Sequence, residues 1–208
     1  MTQISSPQES PALPPKFLFN IDDGLGDWSV PVQQWLDTHK VKLEERQIEL
    51  DRLATGCIVF SPEGKVLLIQ RASHDSMPNR WEIPGGAADD GDATILHGAA
   101  RELWEETRLV ARRFVRPVTE GLGGRDLQVF PNSTETLWLC RFSFEVEVES
   151  VSRVTLDAAE HRDFVWASED EVRAQKIGDR DIPITHDSMK SVILESFRLR
   201  NENQPSEY

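Results

Sequence analysis

The stretch from Thr94 to Thr107 constrains the fold most, because it predicts a helix with two different long faces. At roughly 100° per residue, Glu102, Glu105 and Glu106 fall on one side of such a helix. The small and apolar positions gather about a quarter-turn away, at Leu96, Ala99, Ala100, Leu103 and Thr107. We therefore expect the apolar stripe to pack on a sheet while the neighbouring stripe presents three carboxylates.

The segment before this helix is rich in residues that turn the chain. Residues 81–86 read Trp-Glu-Ile-Pro-Gly-Gly, so Pro84 ends any strand and the glycines allow a sharp turn. An aspartate-rich loop follows at 89–92, and Gly98 is expected to leave space beside the carboxylates. Divalent cations such as Mg²⁺ prefer carboxylate and carbonyl oxygens, so a glycine carbonyl of this turn and the glutamates form a candidate cage. The alternative is a solvated acidic face, since repulsion in such a triplet costs only roughly 0.2–0.5 kcal/mol per pair.

The remaining segments alternate strand and helix signals. The predicted strands are 54–60, 65–71, 114–118, 135–148 and 164–166, and the predicted helices are 31–39, 168–175 and 185–199. The first two strands are separated by a four-residue turn, which predicts a β-hairpin. Strand 135–148 alternates apolar and polar positions in its second half. The order favours an α+β or α/β/α architecture, with a mixed β-sheet between helices.

The length of 208 residues allows one domain with appendages. Residues 1–16, which contain four prolines, are expected to form a disordered arm, and residues 201–208 a frayed tail. We expect an N-terminal extension at 17–50 and the main domain at 51–200. There is neither a secretory signal nor an apolar run of membrane-spanning length, and Cys57 and Cys140 lie in apolar runs typical of buried thiols. These features predict a cytoplasmic protein.

The charge balance limits the partners. Thirty-six acidic residues face 23 basic ones, giving a formal net charge of −13. Such a surface repels nucleic acid and anionic membranes, so neither is an expected partner. An anionic phosphate compound would need a divalent cation to mediate its binding.

The motif residues together resemble the Nudix box of the Nudix hydrolase family. That box is a glycine, five residues, a glutamate, seven residues and then Arg-Glu-U-x-Glu-Glu-x-Gly-U, where U is a bulky aliphatic residue. Here Gly86 precedes a loop and then Arg-Glu-Leu-Trp-Glu-Glu-Thr at 101–107. The flanking Gln70-Arg71 and Glu160-His161 are also similar, and the resemblance covers about residues 51–175. The chain is most similar to small fungal Nudix-domain proteins.

Two positions depart from the family pattern. Counting forward from Gly86 places the box glutamate at Asp92, whereas counting back from Arg101 places it at Ala93. The glycine after Glu-Glu-x is Arg108, at a point where a left-handed helix end is expected. These departures bear on the efficiency of hydrolysis more than on the fold.

The resemblance implies a Nudix-like α/β/α sandwich and a metal-dependent pyrophosphohydrolase that acts on a nucleoside diphosphate linked to another group. It implies Mg²⁺ or Mn²⁺ ligands at Gly86, Glu102, Glu105 and Glu106. It implies catalytic roles for Arg101, which orients the glutamates, and for Glu105, Glu106 and Glu160, any of which can accept a proton. We expect Arg71, Trp81 and Gly85 to contact the substrate, although a surface role for Arg71 and a packing role for Trp81 remain alternatives.

Two other functions stay open. One is a Nudix-fold binding or regulatory module without turnover, suggested by Ala93 and Arg108. The other is a pathway enzyme that uses an unusual substrate such as a prenyl diphosphate, which an apolar pocket would support. The expected partner is a small-molecule diphosphate, and a homodimer is possible.

Overall fold

The computed structural model describes residues 15–132 and 134–202. Most of the predicted arm, 1–16, and most of the predicted tail, 201–208, lie outside these residues. The helices are α1 (Val32–Glu45), α2 (Ile95–Thr107), α3 (Glu169–Ala174) and α4 (Asp187–Glu202), with a 3-10 helix at Gly26–Trp28. The strands are β1 (Asn20–Ile21), β2 (Arg52–Ile58), β3 (Val66–Arg71), β4 (Trp81–Glu82), β5 (Ala111–Val118), β6 (Gln128–Pro131), β7 (Trp138–Val148), β8 (His161–Ala167), β9 (Lys176–Ile177) and β10 (Arg180–Asp181).

The long strand β7 organises the larger sheet. One of its edges pairs in parallel with β2, and the other pairs antiparallel with β6 and then with β5. Strand β1 adds to β5 in parallel. A smaller antiparallel sheet has the order β4-β3-β8, and β9 pairs with β10. The mixture of parallel and antiparallel pairs confirms the predicted mixed sheet.

Two apolar cores show how the sheets and helices are layered. Along β3 the side chains alternate between them: Leu67 and Ile69 pack in the core that includes α1 and α2, whereas Val66 and Leu68 pack in the core that includes α3 and α4. The sheets therefore lie between two helix layers, as the predicted α/β/α architecture requires. Leu103 of α2 is fully buried, which confirms the predicted orientation of this helix.

The predicted hairpin of the first two strands is wrong over most of its length. Its tip is present, since Leu67 N–H donates to the Val59 carbonyl at 2.9 Å and Phe60 bridges Val66. Beyond the tip, β2 pairs with β7 and β3 pairs with β4 and β8. Both strands are buried almost throughout, so each is surrounded by other elements instead of forming an isolated ribbon.

The N-terminal segment is an integral part of the fold. Helix α1 continues to Glu45, beyond the predicted end at 39, and buries Leu43 in this extra part. Trp35 is also buried and contacts Phe142 of β7, with ring centroids 5.0 Å apart. Phe19 contacts Phe114 of β5 in the same way, at 4.8 Å. This segment therefore covers one face of the larger sheet.

The polar face of β7 is buried as well as its apolar face. Ser143 and Glu145 are almost inaccessible, and Glu145 forms ion pairs of 3.0 Å with Arg116 and with Arg200 of α4. Alternation along this strand therefore separates two buried environments, one of which contains paired charges.

The predicted capping box of α3 is confirmed by reciprocal hydrogen bonds between Ser168 and Glu171. Cys57 and Cys140 are both buried free thiols, as predicted. None of the described helices is both long and apolar enough to cross a membrane.

Candidate metal and catalytic site

Arg101 organises the carboxylates at the edge of α2. Its Nε and one terminal nitrogen donate to Asp92, each at 3.0 Å. The other terminal nitrogen donates to Glu102 at 2.8 Å and to Glu105 at 2.9 Å. A further bond of 2.8 Å reaches the Ala87 carbonyl, so this guanidinium joins the helix to the loop before it.

The Gly85–Gly86 turn approaches the same carboxylates closely. Gly85 has a φ of +150°, and its N–H donates to Glu106 Oε2 at 2.6 Å. A Cβ at Gly86 would lie 2.6 Å from the Glu102 carboxylate, and a Cβ at Gly85 would lie 2.2 Å from the Thr55 carbonyl oxygen. Both positions therefore require glycine. A side chain at Gly85 would push the turn away from β2, and one at Gly86 would push it away from α2.

A second carboxylate group lies deeper, behind α2. His161 is 3% exposed, and its Nε2 lies 3.8 Å from both Glu82 and Glu106. Neither ring nitrogen has a hydrogen-bond partner among the described residues. One ligand atom from each of Glu106, Glu160 and His161 falls within 4.8 Å of the others. These atoms are close enough to share one ion.

The electrostatics of the cluster suit a cation. Burial raises the pKa of Glu102 to about 7, and the neighbouring Glu105 and Glu160 add to this effect against the opposing charge of Arg101. Burial likewise raises the pKa of Glu106 well above its usual value. Carboxylate oxygens with one buried, unpartnered imidazole form a donor set that fits a divalent ion, whose charge would offset this repulsion.

The comparisons identify the family to which this arrangement belongs. The family profile described as the NUDIX domain matches residues 50–187. The chain belongs to the NUDIX family.

Two curated relatives match part of the chain. The RNA pyrophosphohydrolase of Psychrobacter sp. (strain PRwf-1) is 41% identical over 61 residues, which cover 29% of this chain and 32% of that protein. Phosphatase NudJ of Escherichia coli (strain K12) is 31% identical over 101 residues, which cover 48% of this chain and 56% of that protein. The chain thus spans between about a third and just over half of the length of these relatives.

The fold has a match among solved structures. The NUDIX domain of Shewanella oneidensis NrtR, solved in complex with ADP ribose, aligns with a TM-score of 0.52 and 18% sequence identity. The alignment covers 79% of this chain and 97% of that chain. At this identity, the similarity concerns the fold alone.

Asp92 is one of the two positions, with Ala93, at which counting along the NUDIX box places its glutamate. Its carboxylate accepts two hydrogen bonds from Arg101 and one of 2.8 Å from the Asp89 N–H. A Cβ at Gly98 would lie only 2.7 Å from this carboxylate. Gly98 therefore leaves space beside the carboxylates, as expected, and the loop that carries Asp92 approaches the helix there.

Arg108 adopts the left-handed conformation that the box glycine predicts. Its φ is +59°, and its N–H donates to the Trp104 carbonyl at 2.8 Å. The guanidinium lies 4.3 Å from the centroid of the Trp104 ring. The helix end of the box is thus preserved without glycine.

Two of the expected substrate contacts are engaged with other parts of the protein. Trp81 is fully buried, so the packing alternative applies to it. Arg71 donates to Glu82, Asp75 and Ser76, with its bonds to both carboxylates at 2.5 Å. Its guanidinium is therefore occupied inside the protein, and it fixes the buried carboxylate of Glu82.

Sequence reasoning did not single out Glu82 or Arg141 as site residues. Arg141 lies on the buried polar face of β7 and lines a cavity of about 280 Å³ between β6, β7 and the start of α4. Its position within an alternating strand predicts only that it shares a face with Ser143. The ligand-sized space beside that face depends on how α4 packs. The residue pattern of a single strand carries no information about that packing.

Proposed function

We propose that the chain is a metal-dependent hydrolase of the diphosphate linkage in a small molecule, namely a nucleoside diphosphate joined to another group. The observation that carries this proposal is the carboxylate cluster at the edge of α2. Arg101 orients its outer members, and the Gly85 N–H positions Glu106.

The proposed cation is Mg²⁺ or Mn²⁺, with Glu102, Glu105 and Glu106 as its ligands. The Gly86 carbonyl, which accepts the Thr55 N–H at 2.7 Å, is the proposed backbone ligand. When bound, it supplies charge neutralisation for the diphosphate and lowers the pKa of a coordinated water. An acidic chain with a net charge of −13 needs such a counter-ion to accept an anionic substrate.

The protein groups then have separate roles in hydrolysis, in which a water oxygen bonds to one phosphorus and a P–O bond of the linkage breaks. Glu160 is exposed and is our choice for the proton acceptor. Glu106 is less suited, because its Oε2 already accepts the Gly85 N–H. Arg101 and Arg71 act as positioning residues, since their donors are bonded to carboxylates of the site itself.

The names of the relatives and the lining of the cavity bear on the substrate. The similar NrtR domain was solved with ADP ribose, which contains a diphosphate linkage, and the relatives are named a pyrophosphohydrolase and a phosphatase. Gln128 and Arg141 belong to the lining of the cavity between β6, β7 and the start of α4. This polar lining favours a nucleotide-like group over a prenyl chain. The charge of the chain favours a small molecule over RNA, and a cytoplasmic location remains part of the proposal.

A non-catalytic binding module is the second candidate, because Ala93 and Arg108 depart from the usual box residues. Its support is weaker, since Asp92 still pairs with Arg101 and Arg108 still ends α2 in the left-handed conformation. The contacts of the box are therefore compatible with turnover.

The test is turnover of a panel that contains ADP ribose, NADH, coenzyme A, UDP-glucose and geranyl diphosphate, with Mg²⁺, Mn²⁺ or EDTA. We expect hydrolysis that requires a metal ion, and we expect Glu106→Gln to reduce it by about 10²- to 10⁴-fold. Calorimetry should show weaker Mn²⁺ binding by this variant, while circular dichroism should show an unchanged fold. The exposed helix residue Glu44 provides a matched control in Glu44→Gln.

Two outcomes would contradict the proposal in different ways. Mn²⁺ binding that is unaffected by Glu106→Gln would rule out this site as the metal centre. Metal binding without hydrolysis of any member of the panel would favour the non-catalytic module.

A further inference from the structure

Arg141 has no contact partner for its charge among the described residues. Its guanidinium forms no hydrogen bond and no ion pair within 4.0 Å with any of them, and its Nε is buried. The carboxylates of Glu82 and Glu106 act on its charge from beyond that distance, and the guanidinium lies 5.2 Å from the centroid of the Phe130 ring. A partly buried charge without a contact partner is costly, so a group that supplies one is expected to bind there.

Such a group can bind in the cavity beside Arg141. It has a volume of about 280 Å³, near the lower end of ligand-sized pockets. The less exposed residues of its lining are Arg141, Gln128 and Met189. Two other lining residues, Arg125 and His186, are exposed to solvent. Arg125 already pairs with Glu120 at 3.2 Å, so Arg141 is the lining arginine without an acidic partner among the described residues.

Arg141 lies close to the carboxylate cluster. It is in register with Ala54 of β2, and Ala54 bridges Ala87, the residue after the Gly85–Gly86 turn. The charges of Glu82 and Glu106 also act on Arg141. Two strand spacings are about 10 Å, which is within the length of a nucleotide. One nucleotide-sized molecule is therefore long enough to reach both the cluster and Arg141.

We propose that Arg141 recognises a second anionic group of the substrate, a phosphoryl or carboxylate group on the part of the molecule that extends from the diphosphate into this cavity. This inference rests on the proposed function and narrows its substrate class. A guanidinium can donate two parallel hydrogen bonds to either group, and the ring of Phe130 fixes the guanidinium plane. The apolar side chains of Val129 and Met189 line the same cavity and can contact the carbon skeleton of the ligand.

Matched substrate pairs that differ by one anionic group test this proposal and separate its two chemistries. NADPH against NADH and coenzyme A against dephospho-coenzyme A each differ by one ribose phosphate, and UDP-glucuronate against UDP-glucose differs by a carboxylate. We expect wild-type kcat/KM to favour the more anionic member of at least one pair by about 10-fold or more. Arg141→Met should lower kcat/KM for that member by about 10- to 100-fold and change its less anionic counterpart by less than about threefold.

Arg112→Met is the matched control, because Arg112 is exposed, pairs with Glu147 and does not line the cavity. We expect it to leave the preference within about threefold of wild type. An equal loss for both members in Arg141→Met would overturn the inference, because it would mean that Arg141 contacts the shared diphosphate. A wild-type enzyme that shows no preference in any pair would overturn it as well.

A binding measurement keeps this inference separable from the proposed function. Calorimetry with AMP, adenosine 2′,5′-bisphosphate and adenosine 3′,5′-bisphosphate needs no hydrolysis. Tighter binding of a bisphosphate than of AMP, lost in Arg141→Met, would support the inference even if no diphosphate were hydrolysed. Identical binding of all three, together with equal turnover of UDP-glucuronate and UDP-glucose, would reject it while leaving the hydrolase proposal in place.

Discussion

Two arginines near the carboxylates differ in whether their guanidinium groups are bonded to other residues. Arg101 on α2 donates to Asp92, Glu102, Glu105 and a backbone carbonyl, so its donors are used inside the protein. Arg141 on β7 has no acidic partner in the described part of the chain, and burial lowers its pKa. The first arginine connects a loop to a helix, whereas the second faces a cavity.

The difference shows how one fold assigns structural and ligand-directed roles to the same side chain. An arginine with every donor bonded positions its partners and has little capacity left for a substrate. A partly buried arginine without a contact partner is retained at a cost to the folded state, which a bound anion can offset. Stability and ligand recognition should therefore respond to these two residues in opposite ways.

The largest expected effect comes from removing each guanidinium in turn. Arg101→Met leaves three carboxylates without their cation and should lower the free energy of unfolding by about 2 kcal/mol, less than for a fully buried pair because Arg101 is partly exposed. Arg141→Met should change it by less than about 1 kcal/mol, since an apolar side chain of similar length avoids the desolvation penalty. Urea unfolding in EDTA measures both.

Arg112→Met is the control for a general effect of losing an arginine, because Arg112 forms an exposed pair with Glu147. We expect its cost to be below about 1 kcal/mol. The contrast would fail if Arg141→Met destabilised the protein as much as Arg101→Met, since that result would reveal a structural role for Arg141.

A smaller effect is expected from the loop side of the Arg101 network. Asp92→Asn keeps the shape of the side chain but removes its charge, which should cost about 1 kcal/mol. It should also reduce turnover less than Glu106→Gln, because Asp92 acts through Arg101. Asp90→Asn, in the exposed part of the same loop, should have no measurable effect on either quantity. A loss of turnover as large as that of Glu106→Gln would place Asp92 among the metal ligands.

The helix and turn of this site could be predicted because their signals are local. The spacing of Leu103 and the glutamates defines both faces of α2, and the Gly85–Gly86 pair marks a turn whose close contacts exclude a Cβ. Even the left-handed end at Arg108 follows from the position of a glycine in the family pattern. Each of these features depends on residues within a few turns of one another.

The parts that could not be predicted depend on which strands become neighbours. A four-residue turn predicts a hairpin, but it does not reveal that β2 leaves it to pair with β7. The contact of His161 with Glu82 and Glu106 joins three separate elements. Arg141 belongs to the same category, because its cavity is formed by the approach of α4 to β6 and β7.

The smallest expected effect concerns a third arginine, at the end of the helix that carries Arg101. A residue with a Cβ in the left-handed conformation costs about 1–2 kcal/mol, whereas stacking of Arg108 on Trp104 contributes roughly 0.5–1 kcal/mol at a partly exposed site. Arg108→Gly removes both terms, so we expect a net stabilisation of up to about 1 kcal/mol, or about 2–4 °C in Tm. Arg108→Ala removes only the stacking and should destabilise the protein. The opposite order, with Arg108→Gly less stable than Arg108→Ala, would contradict this explanation. It would mean that the added flexibility of glycine in the unfolded chain outweighs the strain that it relieves in the folded state.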